Sequence, residues 1–158
     1  MKAGNPFLQE DSRVLTPEAF DFVLNNELKR AVRSQNFLTL LLVEPMPRDP
    51  ERSPQAEVVR EVAKLVSREV RETDLLSQTT EGQLSVVLLD SDLHNSMQVV
   101  DRLIARFEHY EFDTPVVVEV GAATCPTHGA DAETLRRAAE ARPVHPRRDD
   151  RGNASTAQ

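Results

Sequence analysis

The order of apolar patterns along this chain restricts its fold more than any other feature of the sequence. Short continuous apolar runs, typical of strands, alternate with longer stretches in which apolar residues recur at helical spacing. The predicted order is β-α-β-β-α-β, with one further helix before it and one after it. The predicted strands cover residues 37–43, 74–79, 84–89 and 115–123. This order predicts an α+β, ferredoxin-like fold, with two crossover helices on one side of a largely antiparallel sheet.

The boundaries of the helices and turns are marked by capping residues and prolines. The first helix is predicted over about 16–34, because Thr16 can cap it and Pro17 occupies its first turn. The other three helices are predicted to start at Ser53, at Asp92 or Asn95, and at Ala132. Residues 45–54 contain four prolines and are predicted to form a loop, and Glu81-Gly82 marks a hairpin turn.

Composition indicates one globular domain, predicted over residues 14–142. The 158 residues are 39% hydrophobic, which is enough for a substantial core. Residues 1–13 are expected to form a flexible N-terminus and residues 143–158 a disordered tail. The formal charge of −7 argues against nucleic acid and anionic membranes as partners. The single Cys125, the lack of a membrane-length apolar run and the lack of a secretion signal predict a cytoplasmic location.

The second hairpin contains a motif that is shared with a known family. Arg71-Glu-Thr-Asp74 is followed by a short strand, a turn and an apolar strand. This segment resembles the signature hairpin of the GGDEF (diguanylate cyclase) family, in which a helix ending in R-x-x-D precedes a strand, the turn G-G-D/E-E-F and an apolar strand. Aligned without gaps, the signature turn falls on Thr80, Glu81, Gly82, Gln83 and Leu84.

The resemblance extends over about residues 11–142. Asp11 and Leu15-Thr16 are similar to the family's opening D-x-L-T-G-L, and residues 37–43 to its strand ending in D-x-D. Residues 101–104 and 116–122 are similar to its A-E-R-I helix and S-x-G-x-A strand. The resemblance implies a nucleotide-cyclase fold, with the ferredoxin-like core and extra N- and C-terminal helices.

Members of this family build cyclic di-GMP from two GTP molecules, each bound by one subunit of a dimer. In the family, the first Asp of D-x-D and the third residue of G-G-D/E-E-F hold two Mg²⁺ ions. These ions neutralise the triphosphate and activate the attacking hydroxyl. The paired glycines allow the backbone to approach the phosphates, where a Cβ would clash.

None of these catalytic residues is present at the matching positions of this chain. Val43 and Pro45 correspond to the two aspartates of D-x-D. Thr80 and Glu81 correspond to the two glycines, and Gly82 to the metal carboxylate. The family's segment that reads the guanine is replaced by the shorter residues 45–54, and the last helix has no counterpart of the family's lysine. We therefore predict no catalytic residue, no metal site and no cofactor.

The family's product-binding site is retained at three positions. Arg71 and Asp74 match the R-x-x-D of the inhibitory site that binds cyclic di-GMP, and Arg102 matches a second product-binding arginine. Guanidinium groups can bind phosphate oxygens and stack on guanine, and a carboxylate can accept hydrogen bonds from the guanine edge. The alternative interpretation is structural: Asp74 caps the turn or pairs with Arg71, and the arginines are solvated surface charges.

Three hypotheses about function follow. The first is a non-catalytic GGDEF-like signalling module that binds cyclic di-GMP, or that acts through contacts with another signalling protein or with itself. The second is an active diguanylate cyclase with an altered Mg²⁺ site at Glu44 and Glu81. The third, an RNA-binding module, lacks the exposed aromatic residues that base stacking requires. The remaining metal-ligand types are scattered and predict no metal site: His94, His109, His128, His145 and Cys125.

Overall fold

A computed structural model of the chain describes residues 13–49, 51, 55–79 and 81–144. The four helices are α1 (Pro17–Ser34), α2 (Ala56–Glu69), α3 (Leu93–His109) and α4 (Ala132–Glu140). The five strands are β1 (Leu38–Pro47), β2 (Leu75–Gln78), β3 (Leu84–Leu89), β4 (Val116–Cys125) and β5 (Pro143–Val144). The predicted β-α-β-β-α-β core with a helix on each side is therefore confirmed. Within these ranges no helix has the length and apolar content needed to span a membrane.

The five strands form one antiparallel sheet in the order β2-β3-β1-β4-β5. The central strand β1 pairs with β3 on one side and with β4 on the other, so that Leu41 lies opposite both Val86 and Ala122. The two crossover helices, α2 and α3, connect strands that are not adjacent in the sheet. This is the ferredoxin-like arrangement that the order of elements predicts.

Both faces of the sheet are covered by helices, which explains why the sequence of β1 is apolar without interruption. Leu41 and Val43 point into a core formed with α2 and α3. Leu40 and Leu42 point into a second core formed with α1 and α4. Because side chains alternate between the faces of a strand, each β1 residue from 38 to 43 is buried on one face or the other.

Side-chain caps fix the starts of three helices. Thr16 Oγ1 accepts the amide N–H of Ala19 at 3.3 Å, and Asp92 Oδ1 accepts that of Asn95 at 2.8 Å. At the start of α4, Asp131 Oδ1 accepts the amide N–H of Thr134 at 2.9 Å. The helix α2 begins after Gln55, which makes no capping hydrogen bond through its side chain. The predicted cap of α2, Ser53, lies outside the described residues, as does Asp11.

The prediction of a loop over residues 45–54 is wrong at its beginning, because β1 continues through Pro47. The amide of Arg48 donates to the carbonyl oxygen of Pro115, on the β4 side, at 3.4 Å. Backbone groups alternate sides along a strand, so Pro45 and Pro47 direct their nitrogens to the opposite side. There, pairing with β3 ends at Val43. The sheet therefore needs no N–H group from either proline, and both prolines are compatible with the strand.

Both predicted chain ends are more ordered near the domain than expected. Pro143 and Val144, which were predicted to begin the disordered tail, form β5 and pair with Gly121 and Val120 of β4. At the other end, Arg13 was placed in the flexible N-terminus, yet its side chain makes three hydrogen bonds, which are described below. The predictions for residues 1–12 and 145–158 lie outside the described part of the chain.

Candidate functional site

The three residues predicted to bind a ligand line one surface groove. This groove has a volume of about 300 Å³ and lies between the end of α2, the end of β3 and the first turns of α3. Arg71 and Asp74 belong to the turn that follows α2, and Arg102 belongs to α3. We call it the R-x-x-D groove. Two further carboxylates, Glu69 and Asp90, also line it.

Asp74 is the structural centre of the turn between α2 and β2. Its side chain is only 2% exposed. Its Oδ2 accepts the amide N–H of Arg71 at 2.9 Å, and its Oδ1 accepts the amide N–H of Leu89 at 3.1 Å. The carboxylate therefore joins the end of α2 to the end of β3. The structural interpretation of Asp74, as a turn cap that pairs with Arg71, is what this geometry shows.

Arg71 is anchored at one end of its guanidinium and accessible elsewhere. Its Nη2 donates to the carbonyl oxygen of Leu89 at 2.6 Å, and its Nε lies 3.7 Å from Asp74 Oδ2. Its side chain is nevertheless 63% exposed. The guanidinium is thus held beside the groove by Leu89 and Asp74, while most of the side chain stays accessible to solvent. Such a preorganised cation suits a phosphate or a planar base.

Arg102 is held by a carboxylate at the end of α2. Its Nε donates to Glu69 Oε1 at 3.3 Å, and its Nη2 donates to the backbone oxygen of Glu69 at 3.3 Å. The other oxygen, Glu69 Oε2, accepts a hydrogen bond from Arg106 Nε at 2.7 Å. One carboxylate therefore binds two arginines of α3. Glu69 is only 12% exposed, whereas the side chains of Arg102 and Arg106 are more than half exposed.

Arg13 supports the same turn, in a contact that the residue pattern did not predict. Its guanidinium donates to the carbonyl oxygens of Ser67 at 3.0 Å, Arg71 at 2.6 Å and Asp74 at 2.9 Å. The segment that contains it is attached to the outer edge of β2, where the amide of Leu15 donates to the carbonyl oxygen of Leu76 at 2.8 Å. All three acceptors of Arg13 are backbone atoms, so no side-chain pattern could have predicted the contact.

The signature turn closes the hairpin between β2 and β3 in this structure. The amide of Thr79 donates to the carbonyl oxygen of Gln83 at 2.9 Å, and the amide of Gly82 donates to that of Thr79 at 3.1 Å. Gly82 has a φ of 92°, in the region that favours glycine, which confirms the predicted turn. Leu84 is buried opposite Val43, Glu81 is exposed, and Thr80 lies outside the described residues.

A second cavity, of about 330 Å³, lies near this turn and contains one of the two carboxylates named for an altered metal site. Glu44 lines it together with Gln83, Glu119 and Glu140, and Glu44 lies directly opposite Glu119 in the sheet. Val43, aligned with the family's metal-binding Asp, instead points into the core on the other face. The other carboxylate named for an altered metal site, Glu81, is not among the described residues that line this cavity.

Three carboxylates, those of Glu44, Glu119 and Glu140, line this cavity. Among the described residues, no three His, Cys, Asp or Glu side chains lie close enough together to hold a metal ion. Mg²⁺ requires oxygen ligands in near-octahedral geometry. In proteins this ion is commonly held by one or two carboxylates together with water and substrate phosphates.

The histidines and the cysteine within the described residues differ in how far the fold buries them. Cys125 is fully buried, and burial raises the pKa of its thiol. His128 Nδ1 accepts the amide N–H of Thr124 at 2.8 Å. Burial, together with the charge of Arg142, lowers the pKa of the His128 side chain. His94 and His109 are exposed on α3, and His145 lies outside the described residues.

Neither a protein-family model nor a curated protein sequence matches the chain. Solved structures do match. The GGDEF domain of TpbB, also named YfiN, from Pseudomonas aeruginosa has a TM-score of 0.71 at 18% identity over 84% of each chain. The GGDEF domain of FimX from the same organism has a TM-score of 0.72 at 15% identity, covering 85% of this chain and 90% of that one. The GGDEF domain of DgcB from Caulobacter crescentus, solved in complex with c-di-GMP, has a TM-score of 0.71 at 11% identity, covering 89% and 90%.

These similarities cover more than four fifths of the chain. They bear out the expectation drawn from the hairpin motif, because the matched domains are of the family that the motif resembles. At identities below one fifth, they define the architecture of the chain. The chain therefore has the fold of the GGDEF domain of diguanylate cyclases.

Proposed function

We propose that this chain is a non-catalytic GGDEF-like signalling module that binds cyclic di-GMP in the R-x-x-D groove. The observation that supports it best is the position of Arg71 and Arg102, which come from different elements and line the same groove. The GGDEF domain of DgcB, whose structure is similar, was solved in complex with c-di-GMP in two structures. A ligand with two phosphates and two guanines suits two guanidinium groups, which bind phosphate oxygens and stack on planar bases.

The three residues of the site have different roles in this proposal. Arg71 contacts the ligand, because most of its side chain is accessible and one end of its guanidinium is anchored to Leu89. Arg102 contacts the ligand from the opposite wall, on α3. Asp74 is a positioning residue, because its buried carboxylate fixes the backbone of Arg71 and leaves only 2% of its own side chain exposed.

The non-catalytic part of the proposal rests on the residues around the signature turn. The position aligned with the first metal ligand is Val43, whose side chain is buried in the core. The position aligned with the second is Gly82, which has no side chain to coordinate an ion. In the family, the carboxylates at these two positions hold the Mg²⁺ ions that neutralise the developing charge.

Isothermal titration calorimetry with cyclic di-GMP tests the binding. We expect the protein to bind, and Arg71→Ala to abolish binding by removing the preorganised guanidinium. Arg60→Ala is the matched control, because Arg60 is an exposed arginine of α2 that pairs with Glu57 away from the groove. No heat of binding at about 100 µM ligand, or a free energy weaker than about 5.5 kcal/mol, would refute the receptor function. It would leave a module that acts through another signalling protein or through self-association.

The alternative, an active diguanylate cyclase, is supported by one observation: Glu44 lines a cavity beside the signature turn. Incubation with GTP and Mg²⁺ or Mn²⁺, followed by chromatography of the nucleotides, tests it. We expect no cyclic di-GMP in the wild-type protein. Product that disappears in Glu44→Gln would establish the cyclase and refute the non-catalytic proposal. Glu57→Gln is the control, because this exposed carboxylate lies on α2 and pairs with Arg60.

A cytoplasmic location stays a prediction from the sequence.

A further inference from the structure

The charges that line the R-x-x-D groove do not favour an anion in the arrangement seen here. Two arginines, Arg71 and Arg102, face three carboxylates, those of Glu69, Asp74 and Asp90. The carboxylate of Asp74 is already neutralised by backbone N–H donors and by Arg71. The charge available to an anion on the α3 side of the groove therefore depends on whether Arg102 stays paired with Glu69.

Glu69 occupies the hydrogen-bonding edge of Arg102. Its carboxylate accepts from Nε and its backbone oxygen accepts from Nη2, so the same residue engages two nitrogens of that guanidinium. The Glu69 side chain is itself nearly buried and is held on its other oxygen by Arg106 at 2.7 Å. Glu69 is thus held as an acceptor from both sides, and Arg102 is the more exposed member of the pair, at 53%.

From this geometry we infer that Glu69 is an internal competitor of the ligand, which must take Arg102 from Glu69 in order to bind. The inference rests on the proposed function and specifies how the groove is regulated. A phosphate and the Glu69 carboxylate compete for the same N–H donors, and they repel each other across the groove. The observed affinity is lowered by the fraction of molecules in which Arg102 is held by Glu69. Glu69 therefore restricts the groove to ligands with enough negative charge to displace it.

The inference also assigns a role to Arg106, which does not line the groove among the described residues. When Arg102 leaves Glu69, Arg106 keeps the carboxylate paired, so the nearly buried charge is not left without a partner. An unpaired buried charge would be costly, and Arg106 lowers the cost of releasing Arg102. Arg102 is thus the partner of Glu69 that a ligand can displace, and Arg106 is the partner that remains.

A binding experiment on four variants tests the inference, again by calorimetry with cyclic di-GMP. We expect Glu69→Gln to bind about fivefold more tightly than the wild-type protein, the upper end of what an exposed ion pair contributes. Asp90→Asn is the matched control. It removes another carboxylate from the same groove, and among the described residues Asp90 makes no ion pair. We expect it to change the affinity by less than about twofold, since Asp90 holds neither arginine and acts only through charge repulsion that solvent and salt screen.

The combination with Arg102→Ala separates competition from general repulsion. If Glu69 acts by holding Arg102, then Glu69→Gln gives no gain in the Arg102→Ala background. An equal gain in both backgrounds, or an equal gain from Asp90→Asn, would overturn the inference. If the wild-type protein binds and Glu69→Gln gains nothing, the inference fails while the proposed function stands. If neither binds, both fail.

A measurement on the arginine side chains gives a second readout. In ¹⁵N-labelled protein, the Nε–H signals of Arg102 and Arg106 report their hydrogen bonds to Glu69. We expect saturation with cyclic di-GMP to shift the Arg102 signal and to leave the Arg106 signal close to its starting position. An Arg102 signal that does not move at saturation would show that the ligand does not displace Glu69, and would overturn the inference.

Discussion

The carboxylate of Asp74 accepts a hydrogen bond from the backbone N–H of Arg71 at 2.9 Å. It accepts a second from the backbone N–H of Leu89, at the end of β3, at 3.1 Å. A motif that was identified by its resemblance to a product-binding site is therefore also a structural element of the fold. The two roles are compatible, because fixing the backbone of Arg71 also fixes the base of its guanidinium beside the groove.

Asp74→Asn should destabilise the protein. An amide group has only one oxygen, so one of the two buried N–H donors would face an NH₂ group instead of an acceptor. We expect a loss of about 2 kcal/mol in the free energy of unfolding, measured by urea denaturation. Asp101→Asn, at an exposed position of α3, is the control and should change little. Equal stability of the two variants would contradict the structural role of Asp74.

Arg13→Ala should loosen the turn that carries the R-x-x-D motif. The substitution removes donors from the carbonyl oxygens of Ser67, Arg71 and Asp74. Because two of these bonds are only partly buried, we expect a loss of about 2 kcal/mol rather than the full sum of three charged hydrogen bonds. Urea denaturation gives the stability, and amide hydrogen exchange should quicken near residue 74 more than elsewhere. The control is Arg33→Ala, at an exposed position of α1. Unchanged exchange at the turn would contradict the prediction.

His128 should make the stability dependent on pH near neutrality. Burial and Arg142 lower the pKa of this side chain in the folded state, below the ordinary value of 6.5. The unfolded chain therefore binds the proton more readily, and stability rises with pH in this window. The contribution of neutral His128 is complete above pH 6.5 and is lost as the pH falls toward the lowered pKa.

The comparison of wild type with His128→Asn isolates this effect, because Asn can present an acceptor to the Thr124 amide without titrating. Urea denaturation at about pH 7.5 and about pH 5.5 should show a smaller acid-induced loss in the variant than in the wild-type protein. Identical losses in both proteins would show that other groups account for the pH dependence.

Gly121→Ala should be strongly destabilising. A Cβ at this position would overlap the carbonyl oxygen of Ala139, a backbone atom that cannot turn aside. The helix α4 would have to move away from β4. That movement would also displace β5, which follows α4 directly and pairs with β4. We expect a loss of about 3 kcal/mol, at the upper end of overpacking effects, measured by urea denaturation. Val117→Ala, on the same strand and only partly buried, is the control for a change in side-chain volume. A stable Gly121→Ala variant would contradict the close packing.

Much of the fold followed from local patterns in the sequence. The caps Thr16 and Asp92 and the turn at Gly82 were predictable because each depends on one or two neighbouring residues. The extension of β1 through Pro47 was not, because it depends on which neighbouring strand ends first. Proline excludes a central strand only where its missing N–H would be needed, and the sequence does not reveal the side to which the nitrogen points.

The candidate site was predictable in its positions and less so in its contacts. The spacing of Arg71 and Asp74 and the place of Arg102 on the next helix put all three at one groove. The sequence did not reveal that Glu69 holds Arg102 or that Arg13 supports the turn, because both contacts join residues more than 30 positions apart. Such pairings depend on how helices pack, which the pattern of one helix does not determine.

The two prolines of β1 affect how separate molecules of this protein can associate. Beyond Val43 no strand among the described residues pairs with β1 on its β3 side, and such an edge would normally offer donors and acceptors to a strand of another molecule. Pro45 and Pro47 place ring carbons where two of those donors would be. A foreign strand could not form a continuous ladder along this stretch, so the exposed margin of the sheet is protected against aggregation by the same residues that first suggested a loop.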